Sequence, residues 1–160
     1  MVLSKTTYHK GKIKVLRHTI RFTKKFWDQY WSTDYFNLNV DAVKTRRVDL
    51  IRIFIIDPKA SKSQLLSGLI QKHIDNGINV RIIDKSAYSE KYDPSDLQDM
   101  LIVDDQVSGL LILEKEGRFH KVEFSIDPAI VASRSRNFER LLETSMTYDT
   151  WRKKVNTGDQ

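Results

Sequence analysis

The chain has 160 residues, 40% of them hydrophobic and 10% aromatic, enough for one packed domain and too many for wholesale disorder. It has no cysteine, which excludes a disulfide scaffold, a thiolate zinc site and a cysteine nucleophile. The net charge of +6 is local: residues 1–25 hold eight of the 27 Lys/Arg residues and no acid, and the other 19 face 21 acids for a net of −2.

No apolar run approaches the roughly 20 residues that span a bilayer, and "MVLSKTTYHKGK" lacks the apolar core of a secretory leader, so the expected location is cytoplasmic, with peripheral membrane attachment through the basic segment. The segment "HKGKIKVLRHTIRF" alternates weakly at Ile13, Val15, Ile20 and Phe22 and fits a strand, a hairpin or an arm. Thr23 suits an N-cap for a short helix in which Phe26/Tyr30 and Trp27/Trp31 share a flank. A second helix is predicted over "DYFNLNVDAVKTR", with Tyr35, Phe36, Val40 and Val43 inward.

From residue 49 the pattern is stronger. "DLIRIFIID" (49–57) reads as a buried strand stopped by Pro58. "SKSQLLSGLIQKHIDNG" (61–77) reads as a helix capped by Ser61 or Ser63 and closed by Gly77, with Leu65, Leu66, Leu69, Ile70, His73 and Ile74 as its apolar stripe. "INVRIID" (78–84) completes a βαβ unit. A polar loop leads to three strand-like runs over 99–104, 107–114 and 118–125, the last two joined by a turn at Gly117. Asp127 and Pro128 open a helix to about residue 145, with Ile130, Val131, Phe138, Leu141 and Leu142 inward. The expected fold is α/β, a mixed sheet with flanking helices. Its expected division is a basic arm or hairpin over 1–22, one domain over 23–150 and a flexible tail over 151–160.

The glycines form neither a phosphate loop nor a dinucleotide fingerprint, and the four histidines form no metal-ligand pair; His73 and His120 read as packing residues. Five aspartates (93, 96, 99, 104 and 105) lie in 93–105 without Lys or Arg. Oxygen-rich clusters suit Mg²⁺ or Ca²⁺, yet the spacing is not that of an EF-hand, and neither metal nor cofactor is expected.

The order β-α-β-loop-β-β-β-α and the wording "RIFIID…LLSGLIQKHIDNGINVRII…LIVDD", over about residues 49–145, resemble one half of a phospholipase D fold. Active members carry HxKxxxxD, whose histidine is the nucleophile and whose lysine neutralises the phosphate. With Asp104 laid on the motif aspartate, the lysine position is Asp99 and the histidine position Leu97. Using Asp105 instead gives Met100 and Gln98. The resemblance therefore implies a non-catalytic binding or regulatory module with a vestigial site at Leu97, Asp99, Asp104 and Asp105, and a homodimer by analogy with enzymes that join two halves. The expected binding residues are Lys10, Lys12, Lys14, Arg17, Arg21, Lys24 and Lys25, facing a protein partner or an anionic membrane. Two alternatives stand beside this: nucleic-acid binding by the same segment, and a metal-dependent phosphodiesterase built on Asp99, Asp104 and Asp105.

Overall fold

A computed structural model describes residues 14–21, 34–90, 93, 97–113 and 119–157. Its strands are β1 (Val15–Arg21), β2 (Asp49–Ile56), β3 (Asn79–Asp84), β4 (Met100–Val103), β5 (Val107–Leu113), β6 (Phe119–Ser125) and β7 (Met146–Thr147). The helices are α1 (Tyr35–Arg46), α2 (Gln64–Asp75), α3 (Lys85–Ser89), α4 (Pro128–Thr144) and α5 (Tyr148–Thr157). The fold is α/β, with the strands in one mixed sheet of order β6-β5-β4-β1-β2-β3-β7. β1, β2 and β3 run parallel, and the other pairings are antiparallel.

Alternation along β2 builds both layers. Leu50, Phe54 and Ile56 face one core with Phe36 of α1, Leu66, Leu69 and Ile70 of α2, and Tyr148 and Trp151 of α5. Ile53 and Ile55 face the other, with Met100 and Ile102 of β4 and Phe138 and Leu141 of α4. A strand buried on both faces must be apolar at nearly every position, as "DLIRIFII" is. α2 starts where Ser63 Oγ accepts from the Leu66 N–H at 3.3 Å, and Gly77 leaves it at φ +83°, a conformation that side chains resist. Leu65 and Ile74, expected on its buried stripe, are exposed; the stripe is Leu66, Leu69, Ile70 and His73, spaced i, i+3, i+4, i+7. Ile130, expected inward on α4, is likewise exposed. Asp127 caps α4, accepting from the Ala129 N–H at 2.8 Å.

Two expected boundaries need correction. Residues 15–21, assigned to an arm or hairpin, form a strand in the interior of the sheet between β2 and β4. The expected tail at 151–160 is helical to Thr157, because Trp151 is buried in the core and stacks on Tyr148. The expected helix over residues 24–31 and the turn at Gly117 lie outside the described residues. No described helix is long and apolar enough to cross a membrane.

Candidate functional site

The paired acids close the β4–β5 hairpin. Asp104 and Asp105 have φ of 50° and 53°, the positive pair that a type I′ turn requires, and the Gln106 N–H donates to the Val103 carbonyl at 2.9 Å. The Asp104 carboxylate accepts from the Lys14 N–H at 3.0 Å and the Val15 N–H at 2.7 Å, fixing the start of β1. Asp105 Oδ1 accepts from the Arg17 guanidinium at 2.6 Å and from Ser135 Oγ at 2.8 Å. Arg17 also pairs with Glu139 of α4 at 3.3 Å. Both carboxylates thus serve the fold. Asp104→Ala removes a charged acceptor from two backbone donors and puts a poorer residue at positive φ; the expected loss is about 1.5–3 kcal/mol, read from urea unfolding.

Leu97 and Asp99, aligned with the motif positions, are buried just before β4, and Leu97 packs in the α4-side core. There the Thr19 hydroxyl donates to the Gln98 carbonyl and accepts from the Met100 N–H at 2.9 Å. Asp104 and Asp105 stand at the far end of the four-residue strand, roughly 13 Å along at 3.3 Å per residue. The three carboxylates of the phosphodiesterase alternative therefore do not converge, and the described residues contain no cluster of three metal-ligating side chains.

Arg17, expected to face a partner, is drawn inward by its two acids and is a fold cation. Lys14 remains exposed at the start of β1. Arg21 ends β1, while Lys10, Lys12, Lys24 and Lys25 lie outside the described residues. Sequence reasoning missed three further cations at the same end. The Asp49 N–H donates to the Lys14 carbonyl at 2.8 Å, and the β1–β2 register starts at Val15↔Asp49. This brings Lys44, Arg46 and Arg47, from the last turn of α1 and its cap, to the end where β1 begins. Lys44 Nζ donates to Asn76 Oδ1 at 2.8 Å, Arg46 meets Asp41 at 3.4 Å, and Arg47 is exposed at φ 55°. The run "KTRR" was visible in the sequence; its place beside Lys14 depends on parallel β1–β2 pairing. Among the described residues, the three non-glycine residues with positive φ are Arg47, Asp104 and Asp105, all at this end of the sheet.

A groove of about 670 Å³ runs between Arg17, Asp105 and α4, but Arg136, Glu139, Arg140 and Glu143 alternate in sign along it, so no single ligand charge is favoured. Deep in the opposite layer, His18 of β1 stands beside Arg52 of β2, and His73 of α2 meets Phe36 and Phe54 edge-on at centroid distances of 5.0 and 5.3 Å. His73 Nδ1 lies 2.7 Å from the Leu69 carbonyl, the geometry of an N–H donor. Burial, then the Arg52 charge, holds the His18 pKa well below 6.5; the same causes in the same order bring that of His73 to about 3. Both imidazoles are neutral and enclosed, and His73 is the packing residue its place on the stripe implied.

No curated protein matches the sequence. The fold is similar to that of TrmBL2, an archaeal chromatin protein whose structure shows a novel mode of DNA binding. The TM-score is 0.51 at 14% identity, over 86% of this chain and 46% of that one, so this chain spans less than half of that protein's length. Residues 15–153 match the family described as "Domain of unknown function (DUF6879)", and with nearly the whole described fold inside that match, the chain belongs to this family.

Proposed function

We propose that this protein binds nucleic acid, mainly through phosphates, using the basic N-terminal residues together with the cations at the end of the sheet where β1 begins. One observation carries the reading. The described fold begins at Lys14, at the end of the sheet that also holds Lys44, Arg46 and Arg47, and the sequence before it carries Lys5, Lys10 and Lys12 and no acid. Such clustering is the electrostatic footprint of a polyanion site, and phosphate contacts need no base-reading groove. The likeness to a DNA-binding chromatin protein supports this class over the membrane or protein adaptor. The function is one of binding without catalysis, since the positions aligned with the motif's nucleophile and lysine are Leu97 and Asp99.

The test is affinity for a mixed-sequence duplex as a function of salt, for the full chain and for the variant K5Q/K10Q/K12Q/K14Q. Substitution is required because truncation into residue 15 and beyond destroys β1. The full chain is expected to lose affinity steeply with salt. At about 0.9 per phosphate contact, the variant flattens the log–log slope by roughly 3 to 4. A slope unchanged in the variant overturns the assignment to this segment. Binding to anionic vesicles with none to duplex moves the segment to the membrane surface.

A further inference from the structure

β6 ends the sheet, and no described element pairs with its outer side. His120, Lys121, Glu123 and Phe124 are exposed along it, Phe124 at 57%. The pairing of β6 with β5 shifts register at His120, between Ile112↔Lys121 and Leu113↔Phe119, so the regular edge is Lys121–Ser125; it offers backbone donors and acceptors to another strand, and proteins normally blunt such an edge or use it. The charges here do not simply blunt it. Lys121 and Glu123 share a face, 2.8 Å apart, and lie symmetrically about Val122, the central residue of the strand.

We infer that β6 pairs antiparallel with β6 of a second copy about a two-fold axis through Val122, making a homodimer with one continuous sheet. In that register Lys121 lies opposite the partner subunit's Glu123, and the symmetry repeats the pair. Opposite charges across a strand pair are stabilising, and like charges are not. Charge also selects the register. A slip by one residue turns each side chain to the wrong face. The two neighbouring registers that keep the faces set Lys121 against Lys121, or Glu123 against Glu123. On the other face Val122 meets its own copy. α4 lies over β3, β4 and β5, and its Arg134 donates to Ser108 Oγ of β5 at 3.0 Å. The pairing is isologous and uses up the long open edge. The other end of the sheet is the two-residue β7, so assembly stops at two.

The experiment measures mass in solution by light scattering and sedimentation, up to about 100 µM, since a small edge interface gives micromolar affinity. The full chain is expected to be a dimer. Lys121→Glu and Glu123→Lys should each raise Kd by about tenfold to a hundredfold, because each places like charges opposite one another twice. The double exchange K121E/E123K should restore the dimer, with circular dichroism confirming that all variants are folded. Because the chain has no cysteine, Val122→Cys introduces a single thiol that should cross-link to its own copy. A monomeric full chain, a double exchange that stays monomeric while folded, or a dimer in which position 122 fails to cross-link overturns the proposal.

Discussion

A chain that begins at Phe22 is expected to show no cooperative thermal transition. The lost residues include the strand on which the two halves of the sheet meet. β1 pairs with β2 from Val15↔Asp49 to Arg21↔Ile55, and with β4 from Leu16↔Val103 to His18↔Leu101. Its removal leaves two facing edges without partners, in a region where Thr19, Arg52, Met100 and Ile102 are almost fully buried. It also removes Arg17 from Asp105 and Glu139, and the Thr19 hydroxyl from the start of β4. At about 1 kcal/mol per lost backbone bond and about 1–3 kcal/mol per stranded buried group, the loss exceeds the roughly 5–15 kcal/mol that holds a domain folded. Calorimetry of the shortened chain beside the full chain decides it. A retained cooperative peak with native near-ultraviolet dichroism would show that β1 is dispensable.

The same strand marks the limit of what the sequence discloses. β2, β3, α2 and α4 were legible because each carries its own pattern: an unbroken apolar run, a stripe at helical spacing, or a cap such as Ser63 or Asp127. β1 reads as a basic segment since Arg17, His18 and Thr19 meet their neighbours far along the chain. Arg17 is neutralised by residues 105 and 139, His18 is kept uncharged beside residue 52, and Thr19 is bonded to residues 98 and 100. Local composition cannot reveal bonds of that span. α5 was missed for a related reason: "WRKKVNT" is polar, and only the docking of Tyr148 and Trp151 against α2 and the sheet orders it. The candidate site divides the same way. The cationic excess of residues 1–25 was countable, but the place of Lys14 at the same end as Lys44, Arg46 and Arg47 required the β1–β2 pairing. Asp104 and Asp105 looked like chemistry at a strand end because an acidic pair at positive φ and an acidic pair at a site share one spelling. What separates them is their partners, two backbone amides and an arginine.

Acid should weaken this fold through its histidines before its carboxylates are fully protonated. His73 has a folded pKa of about 3, below its ordinary 6.5, and that of His18 is lowered in the same direction. A depressed histidine leaves stability intact above about pH 6.5, where it is neutral in both the folded and unfolded states. As pH falls from there toward 3, the unfolded chain takes up a proton that the folded chain refuses, and stability is lost progressively. At pH 4.5, His73 alone accounts for roughly 3 kcal/mol, from two pH units at about 1.4 kcal/mol each, and His18 adds to it. Urea unfolding at pH 7.5 and 4.5 measures the difference. His73→Asn places an amide N–H where Nδ1 stands, so it retains a side-chain donor for the Leu69 carbonyl but cannot titrate. It should be less stable than the native chain at pH 7.5, since amide packing between Phe36 and Phe54 is poorer, yet lose about 3 kcal/mol less on acidification. Equal losses in the two proteins would take the acid sensitivity away from His73 and leave it to His18 and the carboxylates. The expected sign follows first from burial, which penalises a charged imidazole, and then from the neighbours, because Arg52 and Lys72 already place positive charge near His73.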